Sequence, residues 1–270
     1  MPGGNASGVP ETRGRVLVGT SGWAYPHWRG VFYPEGLPQA GWLPFYQRRF
    51  ATVEVNTTFY HLPRESLVLR WRDLAPPGFS YAVKASRVLT HRQRLGAAAG
   101  VKVEEVRASL DLFLSRYRLL GAAAGPVLFQ LPPRCPADAA VLARFLSLLP
   151  DGLPCAFEFR DPSWFADEVL AALAAAGAGF CISDLAGRET PLLVTADLVY
   201  VRLHGPRRYA GSYDDRALEA WAGRAAAWAA EGREVRVYFD NDERGFAVRD
   251  AERLLRLLGE RSGAGACASP

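Results

Sequence analysis

Short runs of alternating apolar and polar residues recur along this chain, separated by longer runs with an apolar residue every three or four positions. The clearest alternating run is Val199-Tyr-Val-Arg-Leu-His-Gly-Pro206, which breaks at Gly205-Pro206. On a strand, Val199, Val201 and Leu203 point one way and Tyr200, Arg202 and His204 the other. Strand-like runs fall at 15–20, 51–56, 79–84, 126–131, 154–160, 178–183, 197–204 and 234–240. Helical patterns lie between them at 101–120, 137–149, 163–176, 214–230 and 246–259, with weaker ones near 43–49 and 65–73. The connection 185–196 carries no helical pattern.

Eight strands with helical crossovers in about 245 residues predict one α/β domain, a (β/α)8 TIM-type barrel over 15–260. A doubly wound open sheet is the rival. It would carry fewer strands and a glycine-rich nucleotide turn, and neither G-x-G-x-x-G nor G-x-x-x-x-G-K-[ST] occurs. Residues 1–14 and 261–270 are rich in Gly, Ala, Ser and Pro and are expected to be flexible tails.

In a closed barrel, alternate side chains of each strand face inward. The expected inward pairs are Val18 and Thr20, Glu54 and Asn56, Ala82 and Lys84, and Leu128 and Gln130. The later strands add Glu158 and Arg160, Ile182 and Asp184, Arg202 and His204, and Tyr238 and Asp240. Their polar members gather at the C-terminal strand ends, where this fold places its active sites. Buried ion pairs stabilise poorly compared with apolar packing, so this many charged groups at one mouth point to function rather than to folding.

Composition narrows the classes. Apolar residues make up 49% and charged residues 22%, the balance of a soluble globular protein. No apolar run reaches the roughly 18 residues of a membrane span. The start lacks the basic and apolar regions of a signal peptide, so a cytoplasmic protein is expected. Cys135, Cys155, Cys181 and Cys267 show no metal-binding spacing and read as small buried residues. A net charge of +4 does not by itself argue for nucleic acid. All but two of the 32 basic residues are arginines, which makes Lys84, inside a strand, conspicuous.

The loops around the mouth add rings and cations. Trp23, Tyr25, Trp28, Phe59, Tyr60, Trp164, Tyr209 and Tyr213 suit stacking on a sugar face or a base, or packing of the loops on the rim. Arg87, Arg92, Arg94, Arg188, Arg207 and Arg208 suit an anion such as phosphate or carboxylate. His27, His61, His91 and His204 fall at or just after strands on the same expected face.

Seven motifs then converge on one family. Gly19-Thr-Ser-Gly-Trp23, Val53-Glu-Val-Asn-Thr-Thr-Phe-Tyr60, Tyr81-Ala-Val-Lys84, Phe129-Gln-Leu-Pro132, Phe157-Glu-Phe-Arg160, Val201-Arg-Leu-His-Gly205 and Tyr238-Phe-Asp-Asn241 occur in order. Over about residues 16 to 257 the chain resembles the YecE-like family, domain of unknown function 72. The resemblance implies a TIM-type barrel. It also implies that Glu54, Asn56, Lys84, Gln130, Glu158, Arg160, Asp184, Arg202, His204 and Asn241 are signature positions. No activity comes with it.

The expected function is an enzyme using acid–base chemistry on a small anionic substrate, phosphorylated or carboxylated and sugar-like in size. Candidate catalytic residues are Glu54 and Glu158 as acid and base, Asp184, His204 as proton shuttle, and Lys84 as charge stabiliser or nucleophile. Candidate substrate-binding residues are Asn56, Gln130, Arg160, Arg202, Tyr238, Asn241, Trp23, Tyr60 and Trp164. No cofactor or membrane partner is expected. A divalent metal on Glu158, Asp184, His204 and Asp240 is the less favoured variant, because Lys84, Arg160 and Arg202 would crowd a cation. The alternatives are a nucleic-acid or nucleotide binder that cleaves phosphodiesters or only binds them, and a non-catalytic partner protein.

Overall fold

Parallel strands need long crossover connections, and the chain supplies a strand, a crossover and another strand around a full turn. The computed structural model describes residues 14–266. The strands are β1 (Arg15–Thr20), β2 (Thr52–Val55), β3 (Ser80–Lys84), β4 (Ala124–Gln130), β5 (Cys155–Glu158), β6 (Gly179–Leu185), β7 (Arg188–Glu189), β8 (Leu198–Leu203) and β9 (Glu234–Phe239). The helices are α1 (Trp42–Gln47), α2 (Thr57–Tyr60), α3 (Glu65–Leu74), α4 (Val103–Tyr117), α5 (Ala139–Leu146), α6 (Asp167–Ala175), α7 (Asp215–Ala230) and α8 (Phe246–Ala266).

The order around the barrel is β1-β9-β8-β6-β5-β4-β3-β2, and every neighbouring pair on this path is parallel. This is the TIM-type barrel. In the connection without a helical pattern, β7 turns back antiparallel on β6 as a two-residue hairpin strand. α8 continues to Ala266, past the expected boundary at 260. The N-terminal segment 1–13, residues 267–270 and with them Cys267 lie outside the described residues.

Closure between β1 and β2 differs from the other joints. Ser21 pairs with Glu54 in a single bridge, and Gly22 N donates to Glu54 O at 2.8 Å. Below that, the Tyr46 hydroxyl of α1 fills the gap, accepting from Thr20 N at 2.8 Å and donating to Thr52 O at 3.1 Å. A side chain at Gly19 would put its Cβ 2.3 Å from Thr52 O, so only glycine allows the strands to come this close.

Helix starts follow local chemistry. Asp138 and Asp214 cap α5 and α7, accepting from Val141 N at 2.9 Å and Ala217 N at 2.8 Å. α5 buries Val141, Leu142, Phe145 and Leu146 on one face, and Phe145 meets the β4–β5 pair Phe129 and Phe157 edge-on. Burying each such side chain contributes about 1.5–3 kcal/mol.

Inside the barrel the side chains form tiers. At the N-terminal end Arg236 Nη1 donates to Thr52 Oγ1 at 3.2 Å and Ser80 Oγ at 2.7 Å, beside the Tyr238 hydroxyl. The middle holds Ala82, Leu128, Ala156, Cys181, Tyr200 and the Tyr238 ring. Above it lies the charged tier.

Six of the eight barrel strands have the expected inward phase; β1 and β6 are shifted by one residue. On β6, Cys181 and Ser183 are in register with the inward Tyr200 and Arg202, so Ile182 and Asp184 face the helices. On β1, Val18 joins the outer core, Thr20 bonds Tyr46, and Ser21 reaches the interior. Both strands are nearly continuously small or apolar. A parallel strand buried on both faces leaves no polar side to fix its phase.

Candidate functional site

One guanidinium organises the mouth. Arg202, at the end of β8 and 1% exposed, grips Glu54 bidentately, Nε to Oε2 at 3.0 Å and Nη2 to Oε1 at 2.7 Å. Its Nη1 donates to Glu158 Oε2 at 2.8 Å and Nη2 to Asp240 Oδ2 at 2.9 Å. Three carboxylates on one arginine satisfy its donors in the planar fork that only arginine offers.

Each carboxylate has further partners. Glu54 also accepts from the Tyr200 hydroxyl at 2.6 Å and from Ser21 Oγ. Ser21 Oγ in turn accepts from Asn56 Nδ2 at 2.6 Å and Arg202 Nη2 at 3.0 Å. Glu158 pairs with Arg160 as well as Arg202. Burial pushes the Glu158 carboxyl up, but Arg160 and Arg202 outweigh it and hold it well below the usual range. Asp240 is likewise lowered: burial opposes ionisation, and Arg202 with His204 more than offsets it.

His204 stands behind this group, fully buried. Arg160 Nη2 lies 3.1 Å from its Nε2. The ring Nδ1 lies 3.0 Å from Asp240 Oδ2, and Glu158 Oε1 lies 3.6 Å from Nε2.

Lys84, at the end of β3, is the exception. Its backbone is pinned by Thr58 Oγ1, which donates to Lys84 O at 2.7 Å. Its Nζ lies over the Phe59 ring, 4.6 Å from the centroid. Among the described residues no carboxylate oxygen lies within 4.0 Å of that nitrogen. Burial, reinforced by the nearby Arg202 charge, lowers its pKa.

These groups border a cavity of about 760 Å³, within the size range of small-molecule sites. Its polar wall is Lys84, Asn56, Gln130, Arg160, Arg202, Asp240 and Tyr25; its apolar wall is Trp23, Phe59, Tyr60, Leu67 and Trp71, with Tyr209 also on the lining. Tyr60, 59% exposed, stands on the rim, and Trp23 packs edge-on against Trp71. Gln130 Nε2 is turned to Leu131 O at 2.7 Å.

Of the residues expected here, Lys84, Asn56, Gln130, Arg160, Arg202, Trp23 and Tyr60 line the cavity. Glu54, Glu158 and His204 sit one layer behind it, committed to Arg202, Arg160 and Asp240. Four others lie elsewhere. Asp184 faces outward with the shifted β6, near Tyr213, and burial raises its pKa. Tyr238 points into the lower tier, its hydroxyl 2.8 Å from Thr52 Oγ1. Asn241 ties Gly211 O and Asp250 together, with Nδ2 bonds of 2.8 and 2.9 Å. Trp164 stacks on Phe159 at 4.5 Å and donates to Cys135 O, so it packs the wall rather than the mouth.

Ser21, Tyr25, Tyr200 and Asp240 contribute polar atoms here but are not among the candidate catalytic or substrate-binding residues, Asp240 having been placed only in the metal variant. Asp240 was legible from the inward period of its strand; Ser21 was concealed by the phase of β1. With Asp184 turned away, the proposed metal ligands are not assembled, and no cluster of three His, Cys, Asp or Glu side chains suited to a metal occurs among the described residues. Nor does any described helix have the length and apolarity to cross a membrane.

Comparison with known proteins agrees with this architecture. "UPF0759 protein YunF" of Bacillus subtilis is 26% identical over 271 residues, covering 90% of this chain and 94% of that one. "UPF0759 protein YecE" of Escherichia coli is 30% identical over 152 residues, 56% of this chain and half of that protein. A crystal structure of a DUF72 family protein from Thermotoga maritima superposes with a TM-score of 0.75 at 25% identity, over 90% of this chain and 99% of that one. One from Enterococcus faecalis shares the fold with a TM-score of 0.76 at 19% identity, over 91% and 96%. The family model described as "Protein of unknown function DUF72" matches residues 17–269, and the chain belongs to that family.

Proposed function

We propose that the mouth is the active site of an enzyme using acid–base chemistry on a small anionic substrate. The observation that carries this reading is the convergence of Lys84, Arg160 and Arg202 on one concave cavity that a single carboxylate, Asp240, also reaches. Lys84 and Arg160 hold the anionic group, and the buried charge of Arg202 behind them adds positive potential for any developing negative charge, where low dielectric strengthens it. Asn56 and Gln130 orient polar substituents, and Trp23 and Tyr60 cover the uncharged, sugar-sized remainder. Glu54 and Glu158 are buried counter-ions that fix the arginines. The proton-transfer work first expected of them passes to Asp240, with His204 behind it, and to Lys84.

Calorimetric titration with sugar phosphates, small carboxylates and their neutral analogues tests the reading. Anionic ligands should bind at least ten-fold tighter, about 1.4 kcal/mol. Asp240→Asn should keep that binding while abolishing turnover of any substrate found. Equal affinity for charged and neutral analogues would sink the proposal.

A nucleic-acid reading draws on one further observation. Tyr209 also borders a neighbouring shallow concavity with His27, Arg244 and Arg249, which Asp242 and Glu243 line as well. Oligonucleotide binding that weakens steeply with salt, and less steeply after Arg244→Ala and Arg249→Ala, would favour it.

A further inference from the structure

We propose that Lys84 captures a carbonyl group, so that the substrate of this mouth is an aldehyde or ketone carrying an anionic group, held as an imine on Nζ. This rests on the anion-binding reading above and specifies it. Three observations point the same way.

The first is the pairing pattern. Arg202 takes Glu54, Glu158 and Asp240, and Arg160 takes Glu158. With three carboxylates in the tier, a lysine kept for charge balance would sit on one of them. Lys84 instead lies against a ring face. The second is position. Lys84 lines the same cavity as Arg160, so an anionic group on that guanidinium leaves the other end of a short molecule to the amine. The third is residue choice. Arginine supplies every basic position of this chain except Lys84 and Lys102, and a guanidinium serves anions as well as an amine does but forms no imine under these conditions. Burial, which favours the neutral amine, acts in the same direction.

The chemistry balances without an oxidant or reductant. The neutral amine's lone pair attacks the carbonyl carbon, forming C–N while the C=O π pair moves to oxygen. That oxygen receives a proton given up by nitrogen. The C–O bond then breaks, the hydroxyl leaves as water with nitrogen's second proton, and C=N remains.

The test is reductive trapping on the full-length protein. Pyruvate, glyoxylate and glyceraldehyde 3-phosphate serve as anionic probes, and acetone and propionaldehyde as neutral ones. Borohydride supplies the hydride that turns an imine into a stable secondary amine. Peptide mass mapping is simple because exposed Lys102 is the only other lysine and serves as internal reference. The expected result is saturable labelling of Lys84, at least ten-fold faster than Lys102, with anionic probes ahead of neutral ones. Labelling of Lys84 no faster than Lys102 overturns the proposal, and equal labelling by neutral probes overturns its anionic part. Calorimetry with inorganic phosphate on the same samples separates the two readings. Phosphate binding without Lys84 labelling removes the imine alone; neither binding nor labelling removes both.

Discussion

The barrel holds a buried arginine at each end, and the two are treated differently. At the N-terminal end Arg236 is 3% exposed and meets the hydroxyls of Thr52 and Ser80, with half-exposed Glu234 on its Nε at 2.7 Å. At the mouth Arg202 carries three carboxylates, and a lysine that pairs with none of them faces a cavity. The lower arginine is a plug bound to hydroxyls and to Glu234. The upper one concentrates charge beside open space. What sets the proposed site apart is therefore not buried charge but a cation left without an ion-pair partner at a cavity wall.

Substitution should break this comparison most visibly at Arg202. Arg202→Met removes the guanidinium shared by Glu54, Glu158 and Asp240, leaving Glu158 only its Arg160 partner, and should cost about 3–5 kcal/mol in urea denaturation. Arg236→Met strands mainly hydroxyls, which can bond one another, and should cost about 1–3 kcal/mol while leaving anion binding unchanged. Equal losses at the two ends would erase the distinction.

Acid should act next, and chiefly on the mouth. Glu158 and Asp240 have folded pKa values below their unfolded ones. Their contribution to stability is fully present above the unfolded values near 4 and is lost as pH falls through the folded values. The urea midpoint should drop steeply there, and less steeply in Glu158→Gln.

The smallest expected effect has the opposite sign. The lowered pKa of Lys84 means the folded state holds its proton less tightly than the unfolded chain. Stability should therefore rise with pH between the folded pKa and the unfolded value near 10.4. Lys84→Met should raise the melting temperature at neutral pH, by less than either arginine loss, and flatten that rise. A drop would show that the ammonium contributes to folding, as the plug does.

How much of this was legible in the sequence depends on contrast between the two faces of each strand. On β8 the alternation of Val199, Val201 and Leu203 with Tyr200, Arg202 and His204 fixed the phase, and β2 and β9 behaved alike. On β6, Cys181 and Ile182 are equally at home on either side, so Asp184 was assigned to the mouth when it faces the helices. Ser21 was lost the same way on β1. Rings were harder still. Trp23 and Trp164 are chemically alike in sequence, but only contacts made across the fold send one to the cavity and the other against Phe159.

The joint closed by Tyr46 has a consequence for assembly. β1 forms a full ladder with β9, more than two hundred residues away along the chain, whereas its nearest neighbour in sequence gives it one bridge. The first strand thus has no ordinary edge to join until the last is in place, a long-range contact that slows folding. Ser21 arrives with β1, Glu54 with β2, and Arg202 and Asp240 with β8 and the end of β9. No fragment released early, by the ribosome or by a protease, carries the mouth; it comes into being with the last closure of the barrel.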